Sequence, residues 1–330
     1  MQFPSKFGRI GLAIGLAAAI ALSARAVEPD KHLTSDSEAV LVINVRQIME
    51  SPLIKKYAIG QLKDAIENNA DAKKFFKATG LDPMRDIHEV IVSASLASGG
   101  DPKLLVVVHG KFDVDKIQQA AAAEAKANGQ EVKVTTKGDL KIYEIPQKGQ
   151  KDKPMYATFV DNGTLVVSNS AEQAEASAKG GKVSSQLATA LSKVGGKESV
   201  YGAAVVTDHI RQGMGNNPQL HELAPKLQYF TGIFDLTNEF KAKLSVQTSD
   251  AKAADKVKMM LTQFIPAISL LAAGQSENLG PTVTDLVKKI EIKKDDNNAV
   301  SVSLTVTEQM MKEMEDAAKN AGKSEKAPKQ

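Results

Sequence analysis

Residues 239–247 read EFKAKLSVQ, and their strict alternation decides the architecture. Phe240, Ala242, Leu244 and Val246 fall on one side of an extended chain, while Glu239, Lys241, Lys243, Ser245 and Gln247 fall on the other. Such a strand belongs to an antiparallel sheet with helices packed on one face and solvent or a partner on the other. Residues 300–306 repeat the pattern, with Val300, Val302, Leu304 and Val306 opposed to Ser301, Ser303 and Thr305. The run KLLVVV at Lys103–Val108 does not alternate, which predicts a central strand buried on both sides.

Outward from these strands, the chain falls into two halves with the same order. The first opens with the β-branched run VLVINVR at Val40–Arg46. Ser51-Pro52 then starts a helix, with Ser as cap and Pro in the first turn, and Gly80 with Asp82-Pro83 ends the helical region. Strands follow at Ile87–Leu96 and Lys103–Phe112, joined through Ser98–Pro102. Asp113 caps an alanine-rich helix that stops at Asn128-Gly129. Four short strands come next, at Val132–Thr136, Leu140–Ile145, Met155–Val160 and Thr164–Ser168, before a helix at Ala171–Lys179. Asp161-Asn162-Gly163 between the last two strands predicts a type I′ hairpin turn.

In the second half, Glu198–Val206 (ESVYGAAVV) echoes Glu38–Val45 (EAVLVINV), and a helical stretch follows that is broken by Gly213, Gly215 and Pro218. Strands at Leu227–Leu236 and Phe240–Thr248 precede a helix from Asp250, where Asp255-Lys256-Val257 answers Asp115-Lys116-Ile117. A hairpin of Lys289–Lys293 and Val300–Val306 and a helix at Glu308–Lys319 complete it. The expected fold is α+β: two related β-α-β-β-α-β-β units with mainly antiparallel sheet and helices packed on one face. Residues 1–26 read as a signal peptide, 27–183 as the first unit, 184–319 as the second, and 320–330 as a flexible tail.

The signal-peptide reading rests on Lys6 and Arg9, an uncharged apolar run from Ile10 to Leu22, and Ala24-Arg25-Ala26, a cut site with small residues where the peptidase requires them. The run is too short to span a bilayer, and no cysteine is present for lipid attachment or disulfides. Cleavage removes Lys6, Arg9 and Arg25 and no acid, so 42 basic side chains become 39 against 39 acidic ones. A neutral mature chain argues against nucleic acid as a partner. The expectation is a secreted, periplasmic or extracellular protein with no transmembrane segment after cleavage.

The stretch LTSDSEAVLVINV at Leu33–Val45, followed by SPLIKKY and later GLDPMRDI, resembles a set of exported bacterial proteins of unassigned function, of planctomycete type. Many of those carry a proline in the opening stretch, where this chain has Thr34 and Ser35. The resemblance implies export and a duplicated α+β fold, and it brings no catalytic residues.

Motifs for chemistry are sparse. No G-x-S-x-G elbow or phosphate-binding glycine loop occurs. Of five histidines, His32 is expected to be loose and His109 a satisfied strand residue. His88-Glu89 and His221-Glu222 do not extend to a zinc motif, so no metal and no cofactor is expected. The sequence therefore points to an exported, non-catalytic envelope protein that binds an envelope protein or polymer. The expected docking surface is the polar sheet face of Lys241, Lys243, Ser245, Ser301, Ser303 and Thr305. Two alternatives are a hydrolase, marked by a pocket joining His109 or His221 to two carboxylates, and a carrier, marked by an apolar cavity between sheet and helices.

Overall fold

A computed structural model describes residues 28–95, 102–147, 150–218, 220–275 and 285–324. The expected signal peptide, most of the Ser98–Pro102 connection and the last six residues lie outside the described residues. Twelve strands form one antiparallel sheet. In the first half these are β1 (Ala39–Ile43), β2 (Ile87–Ser95), β3 (Lys103–Gly110), β4 (Lys133–Lys137), β5 (Leu140–Gln147), β6 (Gln150–Asp161) and β7 (Thr164–Ser168). The second half adds β8 (Val200–Val205), β9 (Leu227–Asp235), β10 (Phe240–Thr248), β11 (Glu291–Lys294) and β12 (Ala299–Val306). Across the sheet the order is β11-β12-β10-β9-β8-β1-β2-β3-β7-β6-β5-β4, so the two halves meet at a seam between β1 and β8.

The helices start and stop where local chemistry dictates. Between β1 and β2 run α1 (Val45–Glu50), α2 (Pro52–Tyr57), α3 (Ile59–Asn68), α4 (Ala70–Thr79) and α5 (Pro83–Asp86). Ser51 accepts a hydrogen bond from the Ile54 N–H at the start of α2, with Pro52 in the first turn. Gly80 ends α4 at φ 71°, a left-handed conformation that a side chain would strain. After β3 comes α6 (Val114–Ala127), capped by Asp113. α7 (Ala171–Lys179) and α8 (Ser185–Leu191) follow β7 and are capped by Ser170 and Ser184. The second half carries α9 (Asp208–Gly215), α10 (Ala251–Gln275) and α11 (Glu308–Ser324). Contrary to expectation, Gly213 does not interrupt α9, and α11 runs five residues beyond Lys319 into the segment expected to be a loose tail.

Directly opposed residues of antiparallel strands point to the same side, so the register carries each face across the whole sheet. The back face holds the main core: Val40 and Val42 of β1, Ile91 of β2, Leu105 and Val107 of β3, Val166 of β7, and Tyr201, Ala203 and Val205 of β8. α8 covers it with Leu187, Ala190 and Leu191, while α7 lies over β6 and β7. Each fully buried Leu or Val there contributes about 1.5–3 kcal/mol. This core draws on both halves of the chain.

Three sequence expectations need correction. Helices pack on both faces, because α10 lays Ala253, Ala254 and Val257 against Val246 and Val300 of the opposite, front face. α6 flanks the same front face, where Phe112 beside its cap meets the Phe159 ring at 6.2 Å. β3 is central but buried on one side only: Leu105 and Val107 are sealed at 0%, whereas Leu104 is 39% exposed. A continuous apolar run signals that both faces are apolar, not that both are covered. Finally, neither Asn162 nor Gly163 adopts a positive φ, which a type I′ turn requires. The Asp161 carboxylate instead accepts from the Gly163 N–H at 2.7 Å, beside a register shift between Phe159 and Asp161.

Candidate functional site

Three rows of front-face residues cross six adjacent strands, from β3 to β10. Leu104, Ala94, Ala39, Ala204, Phe230 and Val246 make the first; Val106, Val92, Leu41, Gly202, Gly232 and Leu244 the second; Val108, Val90, Ile43, Val200, Phe234 and Ala242 the third. None of these positions has a side chain that can make a hydrogen bond. α10 covers one flank of this floor and α6 lies over the other; between them Leu41, Phe230 and Leu244 stand exposed, while the third row is half-buried. Leu41 is 41% exposed, Phe230 38% and Leu244 54%.

Within the floor lies a shallow cavity of about 360 Å³. Its bottom is the cross-strand pair Gly202 and Gly232, bounded by Leu41 and Leu244 across the strands and by Phe230 and Phe234 along β9. Gly202 is required by the backbone, since a Cβ there would meet the Val40 carbonyl oxygen at 2.4 Å. The expected alternation in β10 is present, yet its apolar side divides: Val246 is buried under α10 and Leu244 stands open.

The polar side of β10 and β12 sits on the back face beyond the reach of α8. Lys241 stands opposite Thr305, Lys243 opposite Ser303, and Ser245 opposite Ser301. The row next to Ser301 continues to Lys293. Much of this charge is met locally: Lys241 pairs with Glu239 at 3.1 Å, and Lys293 with Glu291 at 2.5 Å. The six residues thus form one surface of hydroxyls and two ammonium groups, of which that of Lys241 is paired.

The histidines are more organised than the sequence suggested. His32 is not loose: it is 2% exposed, its Nδ1 donates to the Ser177 carbonyl at 2.9 Å, and Ser177 Oγ donates to the His32 carbonyl. The segment before β1 carries no periodic signal, so only its long-range partners reveal that it is fixed. His109 is satisfied, as expected, through Asp30 at 2.9 Å from its Nε2. That hydrogen bond raises the His109 imidazole against the opposing effect of burial. Burial raises Asp30, but the hydrogen bonds from His109 and the His32 N–H outweigh it and leave the carboxyl low.

Thr164 Oγ1 lies 3.4 Å from His109 Nδ1, which lines up a hydroxyl, an imidazole and a carboxylate. The neighbouring cavity, however, is not lined by Thr164 or His109, and Thr164 is 7% exposed. The Thr164 hydroxyl is therefore set apart from that cavity. His221 lies apart from this group, and its neighbour Glu222 is engaged by Lys256 at 2.7 Å. Among the described residues no group of three or more His, Asp and Glu is arranged to hold a metal ion, and no helix is long and apolar enough to cross a membrane. Comparison with protein-family models, curated proteins and solved structures gives no match.

Proposed function

We propose that this chain is an exported, non-catalytic binding protein of the cell envelope that holds an apolar ligand of the acyl-chain class on the open middle of its front face. The observation that carries this reading is the three-row floor, six strands wide, without one polar side chain. Leaving apolar area in water forgoes about 25 cal/mol per Å², so an open surface of this kind marks a place where something apolar is bound. The depression over Gly202 and Gly232 offers shape and no hydrogen bonds, which suits a polymethylene chain and selects against polar ligands. A polar partner on Lys241, Lys243, Ser245, Ser301, Ser303 and Thr305 has less support, because ion pairs already answer part of that charge.

Export is supported by the basic, apolar and small-residue order of residues 1–26 and by the resemblance to exported planctomycete-type proteins. Duplication is supported by strand order: outward from the seam, β1-β2-β3-β7-β6 runs parallel in sequence logic to β8-β9-β10-β12-β11. The first connection spans 44–86 and its counterpart 206–226, while the β4–β5 hairpin has no counterpart.

The test is titration with a fluorescent fatty acid. Saturable binding with a negative heat-capacity change is expected for the native chain. Changing Leu41 and Leu244 together to Gln, both exposed in the free protein, should weaken binding by about tenfold or more without loss of fold. Absence of saturable binding, or equal binding by the double variant, would overturn the proposal.

A further inference from the structure

On the back face, cross-strand neighbours Glu89 and His109 lie under the segment that carries Asp30. A second cavity, of about 200 Å³, opens here between Glu28, Asp30, Glu89 and Tyr201, with Leu33, Val42, Ile91 and Leu191 as apolar walls. It is on the opposite side of the sheet from the acyl-chain floor and independent of it.

The charges in this pocket do not balance. Asp30 is engaged by His109, whereas the Glu89 carboxylate has no ion-pair or hydrogen-bond partner among the described residues. A half-buried carboxylate without a partner is costly, and burial pushes Glu89 up accordingly. A second observation is independent of the acids. Tyr201 is 6% exposed, lines the cavity, and its hydroxyl has no hydrogen-bond partner among the described residues. The ring is buried, whereas the hydroxyl itself is not sealed and is left to whatever fills the cavity. An unpaired carboxylate and an unpaired hydroxyl thus face a small space that Asp30 and the exposed Glu28 also line, against a hydrocarbon floor.

We propose that this cavity binds a small alkylammonium ion, its N–H groups donating to Glu89 and to the Tyr201 hydroxyl and its alkyl body lying against Leu33, Val42, Ile91 and Leu191. The volume is below the ~300 Å³ at which pockets for drug-sized molecules begin, which limits the ligand to a handful of heavy atoms. No group of three or more acids and histidines among the described residues is arranged to hold a metal ion, and the carboxylates of Glu28, Asp30 and Glu89 outnumber the single imidazole of His109, which suits a cationic ligand.

Calorimetric titration of the full mature chain with butylammonium chloride near neutral pH tests this, with sodium chloride and butanol as controls. One saturable site for butylammonium and none for butanol is expected. Glu89→Gln, which keeps shape and removes the charge, should weaken binding by about tenfold or more, and Tyr201→Phe by a smaller factor. The Leu41 and Leu244 double variant should bind the amine as the native chain does. No saturable heat at millimolar amine, or equal affinity in Glu89→Gln, would show that the cavity holds water only and would overturn the proposal.

Discussion

Asp30 and His109 show how one side-chain pair fixes a segment that has no secondary structure to hold it. The pair joins the chain before β1 to β3 across a 2.9 Å contact, with side chains 20% and 26% exposed. Because His109 is raised above its ordinary 6.5 when folded, its stabilisation is complete below 6.5 and is lost as pH rises through the folded value. Asp30 is lowered below 3.8, so its part is present above 3.8 and is lost as pH falls through the folded value. Between these limits His109→Gln should cost about 1.5–3 kcal/mol. Its stability should then change less than the native chain's as pH rises from neutral, and urea unfolding across pH checks both. Gly202→Ala should be more severe than an ordinary surface change, at about 1–3 kcal/mol, because its Cβ would be driven into the Val40 carbonyl. The same unfolding assay measures it.

Elements in this protein are tied together by their ends. Ser51 caps α2 and also donates to the Leu236 and Thr237 carbonyls, which fastens the helical connection to the turn between β9 and β10. Ser51→Ala should therefore cost about 1–2 kcal/mol, read as a lower urea midpoint with an unchanged slope. On β10, changing Lys241 and Lys243 to Glu should leave the melting temperature nearly unchanged, since exposed charges contribute little, and should leave fatty-acid binding intact. Loss of binding in that variant would move the site to the back face. Caps and helices such as Ser51-Pro52, Asp113 and Ala171–Lys179 were legible because their signals are local. The open floor was not legible, since Leu244 and Val246 look alike in sequence and differ only by whether α10 reaches them. The docked segment at Asp30–Leu33 was hidden for the same reason: its partners His109 and Ser177 are distant in the chain.

At the scale of the whole molecule, the sheet crosses the boundary between the halves without a break. The back-face core takes Val42, Ile91, Val107 and Val166 from one half and Leu187, Tyr201, Val205 and Tyr229 from the other. Neither half can keep that core alone, so thermal unfolding should be a single transition with coincident calorimetric and spectroscopic midpoints. Two resolved transitions would show that the halves are independent. The seam also bears on how the chain reaches this state. β1 finds β2 early, but its other neighbour, β8, pairs Ala39 with Ala204, 165 residues further on. A chain delivered from its N-terminus must hold one edge of β1 unpaired until that length has emerged, with an apolar strand exposed on that edge. Such a long-range closure is intrinsically slow, and a waiting strand edge is a template for pairing with the wrong chain. Folding yield, more than native stability, is therefore where a weakened seam would first be felt.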